Sequence, residues 1–280
     1  MLTLTDISFG YSRHRDVIRN FSLHLAPGTV CGLLGKNGSG KTTLLYMICG
    51  LLKPRTGVIN FNGHIPFDRD VSFLNDIMIV PEEFDMPKVT LQEYADINSC
   101  FYPRFNRDHL ERNITILDIA PDINLGQCSM GQKKKAFLAF ALACNTSLLL
   151  LDEPTNGLDI SSKRTFRKAV TASMTDDKTF IISTHQVHDV DAILDHVIII
   201  DREGVLLNES IGNIAEKLRF SFTNDSARIT SSLLALDAPG GANIIEYATP
   251  DNKETSVNLE SLFELAESHP ETVARLGLNS

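Results

Sequence analysis

Between the apolar run Val30-Cys31-Gly32-Leu33-Leu34 and the helix-forming run Thr43-Leu44-Leu45-Tyr46-Met47-Ile48-Cys49, the chain carries Gly35-Lys36-Asn37-Gly38-Ser39-Gly40-Lys41-Thr42. A buried strand, a glycine loop and a helix in that order make the setting of a phosphate-binding loop. Glycines let the backbone turn so that successive N–H groups point inward at polyphosphate oxygens. The helix N-terminus adds partial positive charge. Lys41 is expected to reach the β- and γ-phosphates, and the hydroxyl of Thr42 to sit on Mg²⁺, with Thr43 beside them.

A second element completes that chemistry. Leu148-Leu149-Leu150-Leu151-Asp152-Glu153 reads as a buried strand tipped by two carboxylates, which so apolar a strand does not carry without a partner cation. Asp152 is expected to hold Mg²⁺ through water, and Glu153 to polarise the attacking water.

The rest of the chain bounds the architecture. Its 280 residues, 43 % hydrophobic, allow one large domain with an appendage. A net charge of −9 argues against a broad nucleic-acid surface, so no nucleic-acid partner is expected. Cys31, Cys49, Cys100, Cys128 and Cys144 have no CxxC or metal spacing and read as buried thiols of a reduced cytosolic protein. No signal peptide and no membrane-length apolar run is evident.

Strands are expected at 2–9, 19–25, 57–63, 76–80, 147–151, 178–183 and 196–201. Between them lies a helical insertion at about 84–144, with a capping start at Thr90-Leu91-Gln92-Glu93. After Gly212 the pattern changes to strands at 217–223 and 242–248 and one terminal helix at 259–276. The expected fold is α/β: a P-loop nucleotide-binding core with an antiparallel β subdomain and a helical insertion, plus a small α+β C-terminal extension. The expected boundaries are 1–211 for the nucleotide-binding domain and 212–280 for the extension.

Cys128-Ser129-Met130-Gly131-Gln132 precedes a helix whose first turn carries Lys133, Lys134 and Lys135. Three cations there oppose the helix dipole unless an anion offsets them.

Taken together these motifs resemble the ATP-binding subunit of ABC transporters, over roughly residues 1–210. Gly35 to Thr42 matches the phosphate loop, Leu148 to Glu153 the magnesium strand, and Ser129-Met130-Gly131-Gln132 the signature sequence. Asn156-Gly157-Leu158-Asp159 is similar to the loop that crosses to the partner subunit, His185 falls at the switch histidine, and Tyr11 falls where an aromatic stacks on adenine. The resemblance implies an ATPase with ATP and Mg²⁺ as ligands. It implies a head-to-tail dimer, homodimeric or with a related ATPase subunit, in which Ser129, Met130, Gly131 and Gln132 meet ATP in trans while Gly157, Leu158 and Asp159 line the dimer. An anion in trans would also answer the lysine problem. A separate membrane permease is implied, with the chain cytoplasmic and peripheral on the inner face of the membrane. Gly32 to Gly38 and Phe101-Tyr102-Pro103-Arg104-Phe105 look most like bacterial ABC-2-type exporter subunits.

Two departures matter. The leucine and first glycine of the family signature are replaced by Cys128 and Met130. After 76–80 the family has a glutamine that contacts Mg²⁺ and the attacking water, and this chain has Glu82. At about 5 Å and an effective dielectric of about 20, that extra charge interacts with a phosphate charge by roughly 3 kcal/mol, opposed by attraction to Mg²⁺. The alternatives are a soluble ABC ATPase of translation or DNA repair, disfavoured by one cassette and acidic charge, or a nucleotide switch with little hydrolysis.

Overall fold

The computed structural model describes residues 1–12, 15–202, 204–249 and 255–278. Strands β1 (Leu2–Phe9), β2 (Ile18–Leu25) and β4 (Thr56–Phe61) form a three-stranded antiparallel sheet, and β3 (Thr29–Leu34) leaves it for the central sheet. With β5 (Ile77–Val80), β6 (Leu148–Asp152), β7 (Thr179–Thr184), β8 (His196–Ile200) and β9 (Val205–Ser210), β3 builds a six-stranded sheet in the order β5-β6-β7-β3-β8-β9. All its neighbours pair in parallel except β9, which returns antiparallel along β8. A third sheet, β10 (Leu218–Thr223), β11 (Leu234–Ala238) and β12 (Gly241–Tyr247), has β12 in the middle.

The helices are α1 (Lys41–Ile48), α2 (Val71–Leu74), α3 (Leu91–Asn98), α4 (Arg107–Ile116), α5 (Met130–Ala143), α6 (Ile160–Ser173), α7 (Ile211–Lys217), α8 (Ser226–Ser231), α9 (Leu259–Ser268) and α10 (Pro270–Arg275). Because side chains alternate along a strand, the apolar run of β6 feeds two cores. Leu148 and Leu150 join α1 and the antiparallel sheet, whereas Leu149 and Leu151 join α3 to α6. Leu262 and Leu265 of α9 and Ile245 of β12 belong to that second cluster too. The C-terminal residues thus share apolar packing with the α/β core.

The expected P-loop α/β fold is present, and Thr90 caps α3 with a reciprocal bond to Glu93. Four expectations need correction. The single helix expected over 259–276 is broken between Ser268 and Pro270, because proline supplies no N–H to continue the helix and opens α10 instead. Strand β11 lies between the strands expected at 217–223 and 242–248, where no strand was expected. Strand β9 was also missed: Asn208, Glu209 and Ser210 dilute its apolar pattern, and its pairing with β8 is a tertiary choice. Only Cys31, Cys49 and Cys144 are buried; Cys100 is exposed and Cys128 half-buried, so the cysteines are not uniformly core thiols.

Candidate functional site

Strand register brings the chemistry together. Leu34 pairs with Thr184 across β3 and β7, and Asp152 with Ser183 across β6 and β7, so three loops start at one level of the sheet. This is the carboxyl edge of a parallel sheet, where open α/β folds bind ligands. The resulting cleft, about 520 Å³, gathers Tyr11, Lys41, Thr42, Glu82, Glu153 and His185, with Asn37, Gly38, Gly40 and Thr43 in its walls.

The glycines have physical reasons. Gly40 precedes α1 at φ +105°, a conformation that L side chains rarely adopt. At Gly35 a Cβ would stand 2.5 Å from both the Ile200 carbonyl and the Ser39 hydroxyl. Ser39 Oγ is itself buried without a partner, and Asn37 and Gly38 complete the turn.

Lys41 is only 6 % exposed. Its Nζ donates to the carbonyl of Gly35 at 2.7 Å and that of Lys36 at 3.4 Å, and stands 3.4 Å from Glu153 Oε1. Thr42 Oγ1 donates to Asp152 Oδ2 at 2.8 Å, and Ser183 Oγ donates to the other oxygen. Asp152 is 1 % exposed, and burial raises its pKa above the usual carboxylate value. The two hydroxyl bonds oppose that, while the charges of Glu153 and Glu82 add to it. A buried acid in that field stays ionised most readily beside a cation.

Glu153 lies in the left-handed region at φ +45°, rare for a side chain of its size and a mark of stored local strain. Its N–H donates to both the carbonyl and the hydroxyl oxygen of Ser183 at 3.1 Å. Its carboxylate is held between Lys41 and His185, whose Nδ1 is 2.9 Å from Oε1. Half-buried Glu82 accepts from Asn156 Nδ2 at 2.9 Å.

Tyr11 is 68 % exposed. Its ring meets Phe9 edge-on at 5.1 Å and its hydroxyl lies 3.1 Å from Thr43 Oγ1, an arrangement that leaves a ring face open to solvent.

Ser129, Met130, Gly131 and Gln132 do not line this cleft. Ser129 and Gln132 form a reciprocal cap at the start of α5, and Ser129, Met130 and Gln132 are exposed. Gly131 sits against Gly157 and Leu158, and Asp159 caps α6. The expected explanation of the lysines is corrected for two of them. Lys134 is buried and donates to the carbonyls of Glu153 at 3.2 Å and Asn156 at 3.0 Å, while Lys135 donates to the carbonyl of Asp118. Carbonyls of the same chain answer these charges.

Sequence reading missed Ser183, Lys134 and Asn156 as members of the site. Ser183 carried a signal, a hydroxyl at the tip of an apolar strand; Lys134 stood out as a cation opposing its helix dipole and Asn156 as the start of a family loop, but their partners lie across the fold.

A family profile described as "ABC transporter" matches residues 18–156. The chain is 32 % identical over 230 residues to the ABC transporter ATP-binding protein NatA of Bacillus subtilis (strain 168), covering 78 % of this chain and 93 % of that protein. It is 31 % identical over 213 residues to the chelated iron transport system membrane protein YfeB of Yersinia pestis, covering 72 % and 71 %. Among solved structures, the dimeric ATP-binding cassette MJ0796, in a post-hydrolysis state bound to ADP and Pi, superposes with a TM-score of 0.66 at 22 % identity. The match covers 75 % of this chain and 98 % of that one, a likeness of fold. Sequence and fold agree with the cleft, and the chain belongs to the ATP-binding subunits of ABC transporters, ATPases whose hydrolysis is coupled to membrane transport.

Proposed function

We propose that this subunit hydrolyses ATP in the cleft at the carboxyl edge of β3, β6 and β7, with Glu153 as general base. The observation that carries this is the placement of the Glu153 carboxylate between Lys41 and His185. Lys41, the amides of 35–43 and Thr43 bind the phosphates, and Tyr11 offers its ring to adenine. His185 orients the attacking water beside Glu153.

The residues fit a divalent cation. Thr42 and Asp152 offer a hydroxyl and a buried carboxylate side by side, the sparse oxygen set that Mg²⁺ uses with substrate phosphates. Among the described residues no cluster of three or more His, Cys, Asp or Glu side chains could hold a metal alone, in keeping with a site that nucleotide oxygens complete. Thr42 and Asp152 would hold the ion, with Glu82 facing it. When bound, it neutralises the charge developing on the phosphate oxygens.

The working unit is a head-to-tail dimer, of two copies of this chain or of this chain with a related ATPase subunit. Ser129, Met130, Gly131 and Gln132 stand outside their own cleft, and Ile160, beside Gly157, Leu158 and Asp159, is 89 % exposed. A wholly exposed isoleucine next to that loop suits a covered face. Residues 1–211 form the ATP-binding domain and 212–280 an extension. The permease rests on an apolar groove of about 650 Å³ lined by Leu51, Val71, Phe101, Tyr102, Phe137 and Phe140, and transport runs outward, as the likeness of Gly32 to Gly38 to exporter subunits suggests. Among the described residues no helix is long and apolar enough to cross a membrane.

Phosphate release and ATP binding on two variants test the core of this reading. Glu153→Gln is expected to bind ATP, to lose turnover by about 10²- to 10⁴-fold, and to accumulate as an ATP-bound dimer on size exclusion. Lys41→Ala is expected to lose ATP affinity itself. Wild-type turnover in the first variant, or wild-type affinity in the second, would remove these roles.

A further inference from the structure

Helix α9 carries Glu260, Glu264 and Glu267 at spacings of four and three, which places all three on one stripe. The opposite side of the helix is buried through Leu262, Leu265 and Ala266, so the stripe cannot rotate away. Its ends touch two separate loops of the nucleotide cleft. Glu267 Oε2 lies 2.9 Å from Lys36 Nζ in the phosphate loop. Glu260 Oε2 lies 2.9 Å from His188 Nε2, three residues beyond His185. Seven helical residues span about 10.5 Å, so one rigid rod of charge bridges the two loops.

One fact raises the first contact above an ordinary surface pair. Lys36 is the residue whose carbonyl, with that of Gly35, receives Lys41 Nζ. The Lys36 side chain is 74 % exposed and its ammonium is held above the usual lysine value, first by the bond to Glu267, with Glu264 adding to it. The turn carrying His188 is pinned on its other side, where Lys163 pairs with Asp189 and Arg167 donates to the Asp189 carbonyl. The phosphate loop is therefore the end at which α9 has most to do.

We propose that Glu267 is a positioning residue for ATP: through Lys36 it holds the phosphate loop in its binding shape, with Glu260 anchoring the far end of the same helix. The C-terminal segment is then part of the nucleotide site. This rests on the reading of residues 35–43 as the ATP cradle. Exposed pairs are weak and salt-sensitive, so the effect is a modest change in affinity that ionic strength modulates.

The test is steady-state phosphate release by the full chain at about 50 mM and about 500 mM salt, with unfolding midpoints in parallel. Glu267→Gln is expected to raise the KM for ATP about threefold at low salt with kcat unchanged, and to show a smaller rise in KM with salt than the wild type. Glu267→Asp, which keeps the charge, is expected to recover most of the affinity, and Glu260→Gln to shift KM the same way by a smaller factor. The unfolding midpoints stay at the wild-type value. A wild-type KM in Glu267→Gln at low salt, or no recovery in Glu267→Asp, overturns the proposal. If Lys41→Ala loses ATP affinity while Glu267→Gln does not, only the α9 strut fails. If Lys41→Ala binds as the wild type does, the cradle reading fails and the strut with it.

Discussion

Lys134, one turn into α5, donates from its ammonium to the main-chain carbonyl of Glu153 at 3.2 Å, tying the helix that presents Ser129 to the loop that presents the proposed base. The same nitrogen donates to the Asn156 carbonyl, and Asn156 in turn donates to Glu82. Burial lowers the pKa of Lys134, while Glu82, Glu153 and Asp152 act to keep it charged. A single buried ammonium thus connects helix α5, the loop of the proposed base and the carboxylate at position 82.

Lys134→Met keeps the apolar stem and removes the donor. Two carbonyls lose charge-assisted bonds of about 1.5–3 kcal/mol each, partly offset by relief of a buried charge. The expected net loss is about 1–2 kcal/mol in urea unfolding, with turnover falling more than ATP affinity. A variant as stable and active as the wild type would show that the tie is dispensable.

Glu82→Gln isolates charge from shape, because a glutamine can still accept from Asn156 through its carbonyl oxygen. An ionised glutamate favours the metal-bound nucleotide and penalises nucleotide without metal. ATP affinity is therefore expected to depend more steeply on Mg²⁺ in the wild type than in the variant. Turnover at saturating metal should differ by no more than about tenfold, a barrier change of roughly 1.4 kcal/mol. Equal Mg²⁺ titrations would mean that this charge is not felt at the phosphates.

The apolar groove gives a prediction separate from catalysis. Phe101 and Val71 are exposed at its rim, outside the nucleotide cleft. Phe101→Asp or Val71→Asp should lower recovery of the permease in co-purification at least tenfold while ATP binding is unchanged, since a desolvated carboxylate without a partner costs more than 1.4 kcal/mol. Undiminished co-purification would move the docking surface elsewhere.

Buried thiols set an alkaline limit. Burial pushes Cys31 and Cys144 well up and Cys49 up to about 11 from the ordinary 9.0. Folded values above the unfolded one mean that this stabilisation is complete below pH 9.0 and is lost as pH rises toward the folded values. Each thiol then costs about 1.4 kcal/mol per pH unit. Urea midpoints of the wild type should fall between pH 8.5 and 10.5, and those of Cys31→Ala/Cys144→Ala should fall less over the same interval.

Much of the site was legible because its chemistry is local. Gly35 to Thr42 sits between its own strand and helix, and Asp152 and Glu153 end a strand whose apolar run announces burial. Contiguous residues carry that information in their order alone. The Thr90 cap was readable for the same reason, since a reciprocal bond between positions three apart needs nothing from the rest of the chain. Pro270 shows the limit of periodicity: the apolar pattern continued through it, but the missing N–H ended the helix.

By itself, then, the sequence determined the phosphate loop, the paired acids and the family, all of them short-range patterns. Tertiary structure alone decided that β7 lies between β6 and β3, in a register that sets Asp152 opposite Ser183 and Leu34 opposite Thr184. It also decided that Lys134 points inward at the Glu153 loop and that Glu267, near the end of the chain, reaches Lys36 near its start. The physical reason is that strand order and helix docking follow from burying whole apolar faces at once. A lysine or glutamate acquires its partner only when those faces have closed.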